Sequence, residues 1–195
     1  MKKIYALALA VLVLAACKKE KTTQPEVPVP HPVMQYLDLH DESIGFRQVK
    51  MIDINSDGTH DFLVSTLLVG DPILERDRRQ YYISSGTESR LLMDGNGQSP
   101  ILSKNEEIKL QYPGYNWFEV NSLLLAEKIV PMIGNPFWQG NWKSVSHKYL
   151  PVQVKKNGSI YNGWVELSFD MVQEKIVLHK AAICTEAGKT IKAGV

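Results

Sequence analysis

The chain has 195 residues, of which 44% are hydrophobic and 22% are charged, so it is long enough for one domain with a substantial core. Residues 1–16 contain Lys2 and Lys3 and no acidic residue, so the remainder holds 20 basic and 21 acidic side chains. This balance gives no electrostatic reason to expect nucleic acid or another polyanion as a partner.

The N-terminus has the parts of a secretory signal peptide. Lys2 and Lys3 precede an apolar run from Ile4 to Ala16, which is shorter than the roughly 20 residues that a membrane-spanning helix needs. The run ends in Leu14-Ala15-Ala16-Cys17, which resembles the lipobox of bacterial lipoproteins. That resemblance implies cleavage after residue 16 and acylation of Cys17. The alternative is an ordinary signal peptide with a chance cysteine.

Lipidation of Cys17 would anchor the protein to a membrane of the bacterial cell envelope. Lys18 follows the cysteine where an inner-membrane retention signal would have an acidic residue, so the resemblance favours the outer membrane, with the domain in the periplasm or on the surface.

Four prolines within eight residues then predict an extended, disordered tether over residues 17–35. The other cysteine, Cys184, lies in an apolar run and is predicted to be a buried small hydrophobe. The four prolines are Pro25, Pro28, Pro30 and Pro32.

Residues 53–62 have the pattern of a calcium-binding loop. Side chains with oxygen atoms recur at Asp53, Asn55 and Asp57, Gly58 follows where the chain turns sharply, and Asp61 ends the run. Ca²⁺ takes six to eight oxygen ligands at about 2.3–2.6 Å, and alternate residues of a tight loop supply them. The predicted ligands are the side chains of Asp53, Asn55, Asp57 and Asp61 and the backbone carbonyl of Thr59.

The same ten residues resemble the loop of integrin-type FG-GAP repeats, which joins two strands. An EF-hand would need a bidentate glutamate at the twelfth position, where this chain has Val64. A single copy does not predict a propeller. We expect a structural Ca²⁺ with a dissociation constant on the order of 10⁻⁴–10⁻³ M; the alternative is a solvated turn without metal.

From residue 36 to residue 195 the pattern predicts a mainly β fold, an antiparallel β-sandwich-like single domain. The runs 46–53 and 62–69 flank the calcium loop as strands, and the runs 79–85 and 90–93 are predicted to form a short pair. The apolar run 121–130 fits either a strand or a helical turn. Asn157-Gly158 predicts a tight hairpin between strands over 149–156 and 160–169, with a third strand over 175–183.

The C-terminal quarter resembles a hairpin of secreted bacterial proteins of unassigned activity. The resemblance rests on Tyr161-Asn162-Gly163-Trp164 and on the terminal Ile191-Lys192-Ala193-Gly194. The chain departs from that pattern by the insertion of Asn162 and by Ala182-Ile183 where an Ala-Tyr pair is usual. The resemblance implies a β-rich secreted domain without catalytic residues.

No nucleophile–base motif, phosphate-binding loop or zinc-type histidine spacing is present in the sequence. Glu166 and Asp170 form a carboxylate pair only if both lie on one strand, and Asp170 is expected in the turn. The sequence therefore predicts a non-enzymatic binding or scaffold protein with a protein or glycan ligand. One alternative is a carbohydrate-binding accessory of a glycan-uptake system. An exposed row of tryptophans such as Trp138 and Trp142 would support it. These rings would instead pack in the core if they have only a structural role. A metal-dependent hydrolase is a third.

Overall fold

The computed structural model describes residues 31–195. Every regular element in this range is a β-strand and every strand pair is antiparallel, which confirms the predicted fold class. The predicted signal peptide, Cys17 and most of the predicted tether lie outside the described residues.

Two large sheets and one small sheet contain all the strands. In spatial order, sheet A consists of β1 (Met34–Ile44), β12 (Lys175–Cys184), β11 (Ser159–Asp170), β10 (Lys148–Lys156), β5 (Ser89–Met93) and β7 (Asn116–Glu119). Sheet B consists of β2 (Val49–Ile52), β3 (Phe62–Asp71), β4 (Arg76–Ser85), β8 (Ser122–Pro131) and β9 (Phe137–Gln139), and sheet C of β13 (Ile191–Lys192) and β6 (Glu107–Ile108).

Sheets A and B enclose one hydrophobic core. Val165, Leu167 and Phe169 alternate along β11 and are buried in it, as the period of two in a strand requires. The ring of Phe169 meets the ring of Tyr81 from sheet B edge-on, with centroids 5.0 Å apart. Each such side chain contributes roughly 1.5–3 kcal/mol when fully buried, so the sandwich is held together without a disulfide among the described residues.

Trp142 enters this core through a loop that only glycine allows. Gly140 has φ +102°, and a Cβ there would lie 2.6 Å from the carbonyl oxygen of Leu125. Leu125 lies at a bulge of β8, and its carbonyl accepts the backbone N–H of Trp142 at 3.1 Å. The close approach brings the indole of Trp142 to complete burial.

Sheet C covers one end of the outer face of sheet A. Trp164, which lies on the outward side of β11, is buried there against Tyr149, with ring centroids 5.2 Å apart. Ile108 and Ile191 of sheet C belong to the same second cluster. Nearer the other end of β11, Glu166 and Ser168 on the same face remain partly exposed.

The predicted hairpin at Asn157-Gly158 is confirmed. Both residues have positive φ, 50° and 77°, as a type I′ turn requires, and Lys156 pairs with Ser159 across it. The third strand of the predicted meander is β12, which pairs with β11. The run 121–130 forms a strand, β8, and not a helical turn.

The predicted pairing of residues 79–85 with residues 90–93 is wrong. β4 pairs with β3 and β8 in sheet B, whereas β5 pairs with β10 and β7 in sheet A. Leu91, Leu92 and Met93 are buried consecutively, because β5 is covered on both faces. The short segment between β4 and β5 therefore passes from one sheet to the other instead of turning a hairpin.

Candidate functional site

The acidic loop, residues 53–62, connects β2 to β3 as predicted. Ile52 and Phe62 pair across its base, and the backbone N–H of Asp61 donates to the carbonyl of Ile52 at 2.9 Å. Ser56 and Gly58 have positive φ, 57° and 88°, so the loop turns sharply within a few residues. Ile54 is completely buried and fixes the loop to the sandwich.

Two of the predicted ligands, Asp53 and Asn55, point into the interior of the loop. The two carboxylate oxygens of Asp53 accept the backbone N–H groups of Asp57 and Gly58 at 3.1 and 2.8 Å. The amide oxygen of Asn55 also accepts the N–H of Asp57, at 3.0 Å. Each of these oxygens keeps a second lone pair, so the same side chains have capacity for a further partner.

Asp57 lies at the exposed edge of the loop. Its carboxylate accepts the backbone N–H of Thr59 at 2.9 Å, and this hydrogen bond is the main cause that holds the pKa of Asp57 below its ordinary value. The ammonium group of Lys156 lies 3.9 Å from the other carboxylate oxygen. Thr59 and His60 are exposed, and the carbonyl of Thr59 is the fifth predicted ligand.

Asp61 differs from the other acidic residues of the loop because it is buried, with 5% of its surface exposed. One carboxylate oxygen accepts the backbone N–H of Ile54 and the other accepts the hydroxyl of Ser89, both at 2.9 Å. Burial raises the pKa of Asp61, and the charges of Asp57 and Asp53 raise it further, against the lowering effect of its two hydrogen bonds. Asp61 thus ties the loop to β5 of the opposite sheet.

The arrangement supplies oxygen atoms only, which are the ligands that calcium prefers. Within residues 31–195, no three aspartate, glutamate, histidine or cysteine side chains are gathered into a group that could hold a metal ion. The structure thus directs Asp53 and Asn55 into the loop, leaves the carboxylate of Asp57 at its exposed edge and directs Asp61 toward Ile54 and Ser89. The types of residue fit Ca²⁺, and the carboxylates are partnered by N–H and O–H donors.

A surface pocket of about 290 Å³ lies beside the acidic loop. Asn55 belongs to both, and Lys156, which faces Asp57, also lines the pocket. The remaining walls mix hydrogen-bonding groups with apolar ones, so the pocket suits a small polar ligand. They are Gln35, Val154, Tyr161, Ile183, Cys184 and Thr185.

The tryptophans do not form an exposed row. Trp142 and Trp164 are buried, with 0% and 2% of their surface exposed, which confirms the core-packing interpretation for both. Trp138 is half-buried against Phe169, with ring centroids 5.2 Å apart. The indole N–H of Trp117 donates to the carbonyl of Leu110 at 3.0 Å.

Cys184 is buried as predicted, and burial raises the pKa of its thiol.

Asp170 lies at the end of β11, and its carboxylate accepts the backbone N–H groups of Val172 and Gln173 at 2.8 and 2.9 Å. Asp170 therefore stabilises the turn and does not form a pair with Glu166. Residues 31–195 contain no helix of the length and apolarity that a membrane span requires.

A second polar group, which the sequence did not indicate, lies on the open part of the outer face of sheet A. Two histidines that are far apart in the chain stack there, with ring centroids 4.0 Å apart and 21° between the planes. The only sequence signal is the period of two along β11, which puts Glu166 and Ser168 on one face. We call this group the histidine cluster; it consists of Asp41, His147, Glu166, Ser168 and His179.

A scan against protein-family models and searches of curated proteins and of solved structures gave no match for this chain.

Proposed function

We propose that this protein is a lipid-anchored lipoprotein of the bacterial outer membrane that carries a structural calcium ion and acts as a non-enzymatic binding or scaffold protein. The anchor rests on the basic residues, the apolar run and the Leu-Ala-Ala-Cys ending of residues 1–17. Acylated Cys17 would hold the domain at the membrane through the tether of residues 17–35.

The observation that carries the calcium proposal is the inward direction of the oxygen side chains in the acidic loop. Asp53 and Asn55 are held by backbone N–H groups of the loop itself, so a cation would meet side chains that are already oriented. Asp57 and the carbonyl of Thr59 complete the exposed side of the loop, and Asp61 holds its base. A cation would also relieve the repulsion among the three aspartates.

Thermal unfolding of residues 31–195 with 10 mM CaCl₂ and with excess chelator tests the calcium proposal. If the dissociation constant is about 1 mM, calcium adds about 1.4 kcal/mol to the free energy of unfolding. For a domain of this size that raises the midpoint by roughly 3–6 °C. Asp57→Ala should abolish the rise.

Lys156→Gln is the matched control. It removes the cation 3.9 Å from Asp57 and leaves every predicted ligand, so calcium should bind more tightly than in the wild type. Mg²⁺ at the same concentration should give a smaller rise, since it demands a stricter geometry. An equal midpoint with calcium and with chelator in the wild type would refute the calcium proposal.

Metabolic labelling with radioactive palmitate tests the anchor. The full-length protein should take up label and fractionate with the outer membrane, and Cys17→Ala should lose both properties. Label that persists in Cys17→Ala would contradict acylation at this residue.

The pocket beside the acidic loop favours a second candidate, a glycan-binding role. Asn55, Lys156 and Tyr161 offer polar groups along a wall that also has apolar surface, a combination that suits a sugar ring. Titration calorimetry with mono- and oligosaccharides should show binding that weakens in Tyr161→Phe and Lys156→Gln. Heats equal to dilution for every sugar would exclude this candidate.

A further inference from the structure

The histidine cluster contains a continuous hydrogen-bond chain across three strands. The Oδ1 atom of Asp41 on β1 lies 2.5 Å from the Nδ1 atom of His179 on β12. The opposite nitrogen, Nε2 of His179, lies 2.7 Å from Oγ of Ser168 on β11. A carboxylate on one imidazole nitrogen and a hydroxyl on the other is the arrangement that lets histidine take a proton from serine.

The neighbouring contacts fix the direction of these hydrogen bonds. The backbone N–H of His147 donates to Oγ of Ser168 at 2.9 Å, so the hydroxyl of Ser168 accepts there and has its own proton free to donate to His179. The hydrogen bond with His179 is the main cause that lowers the pKa of Asp41. An ionised Asp41 can only accept, so Nδ1 of neutral His179 carries the proton and Nε2 is the free base.

The backbone is distorted on every side of His179. β1 pairs Asp38 with Lys180 and Glu42 with Leu178, so three residues of β1 oppose His179 alone. β11 pairs Glu166 with Lys180 and Leu167 with Leu178, so against β11 His179 itself is the extra residue. Bulges of this kind re-aim a side chain and are frequent beside active sites.

Two other members of the histidine cluster have left-handed backbone conformations. Asp41 has φ 51° and its neighbour His40 has φ 57°, while His147 has φ 48°. Such conformations in residues other than glycine cost free energy and persist where the surrounding structure holds them. The fold therefore holds Asp41 and His147 in place against a local conformational cost.

From this geometry we propose that Ser168 is an activated nucleophile toward carboxylic esters, with His179 as its general base and Asp41 as the residue that positions the imidazole. Ser168 is half-buried, while the side chains of His147 and Asp41 are 63% and 77% exposed. An acyl group can therefore reach Ser168 from solvent. The reactive serine does not depend on the proposed calcium ion or on ligand binding, and an esterase activity would replace the non-enzymatic part of the proposed function.

In the acyl-transfer step, Oγ of Ser168 bonds to the carbonyl carbon of the ester while its proton moves to Nε2 of His179. The bond between that carbon and the alkoxy oxygen then breaks, and the proton passes from Nε2 to the departing alcohol. Water attacks the resulting ester of Ser168 by the same route, giving a carboxylic acid and free Ser168. No oxidant or reductant takes part.

His147 contributes to the site with its backbone and its ring. The backbone N–H of His147 lies 2.9 Å from Oγ of Ser168, so it is the nearest backbone donor for the oxyanion that would develop next to that oxygen. The ring stacks on His179, and its Nδ1 lies 2.8 Å from Glu166. The charged and titratable groups that surround His179 are Asp41 from β1, Glu166 from β11, Lys180 from β12 and His147 from the loop before β10.

A fluorophosphonate probe tests the proposal, since the attacking serine forms a stable bond to phosphorus and releases fluoride. Residues 31–195 should gain the mass of one probe less HF, and peptide mapping should place the adduct on Ser168. Labelling should be lost in Ser168→Ala and retained in Ser65→Ala, which removes a half-buried serine from β3 of sheet B. His179→Gln should slow labelling by about 10²–10⁴-fold.

The pH profile of labelling distinguishes catalysis from a role of the histidine cluster in structure alone. The labelling rate of the wild type should rise between pH 5 and pH 8, where imidazole groups lose their protons, and this rise should vanish in His179→Gln. Asp41→Asn should lower the rate and keep the rise. An unlabelled wild-type protein, an adduct at another residue, or equal rates in wild type and His179→Gln would each overturn the proposal.

Discussion

The acidic loop takes its polar side chains from nine consecutive residues, whereas the histidine cluster takes its side chains from β1, β11, β12 and the loop before β10. In the acidic loop, Asp53 and Asn55 accept N–H groups of the loop's own backbone. In the histidine cluster, Asp41 and His179 are separated by 138 residues. The first depends on a local turn and the second on the register of two strand pairs.

This difference predicts how each region responds to amino-acid substitutions. The acidic loop is held by hydrogen bonds to its own backbone, so a substitution in it should change mainly the conformation of the loop and leave the two sheets intact. The histidine cluster exists only while β1 and β12 keep their bulged pairing. Asp61 is the exception within the acidic loop, because its carboxylate is bonded to Ser89 of the other sheet.

Among the predictions, Asp61→Ala should have the largest effect on the free energy of unfolding. The change leaves the N–H of Ile54 and the hydroxyl of Ser89 without their acceptor in a buried place, which should lower the free energy of unfolding by roughly 2 kcal/mol or more. Asp57→Ala, at the exposed edge, should cost less than about 1 kcal/mol without calcium. Urea unfolding in the presence of chelator measures both, and equal losses would contradict the distinction between them.

An intermediate effect is expected for the pH dependence of calcium stabilisation. The pKa of Asp61 is raised by burial, so without calcium its ionisation opposes folding once the pH rises through that value. Calcium favours the ionised carboxylates. The rise in midpoint caused by calcium should therefore be full at pH 7 and shrink as the pH falls toward the raised pKa of Asp61. A rise that is constant from pH 7 to pH 4 would show that these carboxylates do not bind the ion.

The smallest expected effect is that of Asp41→Asn on stability. The hydrogen bond with His179 holds the pKa of Asp41 below its ordinary value, so its contribution is present above the unfolded pKa and is lost as the pH falls through the folded pKa. The variant should be slightly less stable than the wild type at pH 6, with the difference fading in acid. Urea unfolding at pH 6 and pH 3 makes the comparison, and a difference that grows in acid would have the wrong sign.

The sequence predicted the parts of the molecule that depend on local chemistry. Asn157-Gly158 specifies its turn by positive φ, and the period of two in a strand puts Leu167 and Glu166 of β11 on opposite faces. The sequence did not place β5, because three consecutive apolar residues look the same in an edge hairpin and in a covered strand.

The histidine cluster could not be predicted from the sequence, because it too depends on which strands pair. His179 is directed by two bulges, and no residue in the chain marks a bulge that both neighbouring strands share. Nothing in the sequence indicated that β1 would bring Asp41 beside Ser168.

The pairing of Met34 with Cys184 has a consequence for biogenesis. The first strand of the domain must wait for its partner until nearly the whole chain has been made, roughly 7 s at about 20 residues per second. During that time β1 is an unpaired edge, a form that invites aggregation. Asp38, Asp41 and Glu42 place charges along it, as gatekeeper residues do. A domain whose first and last long strands must pair before the sheet closes also folds slowly, which would suit the export of an unfolded chain that the proposed lipid anchor requires.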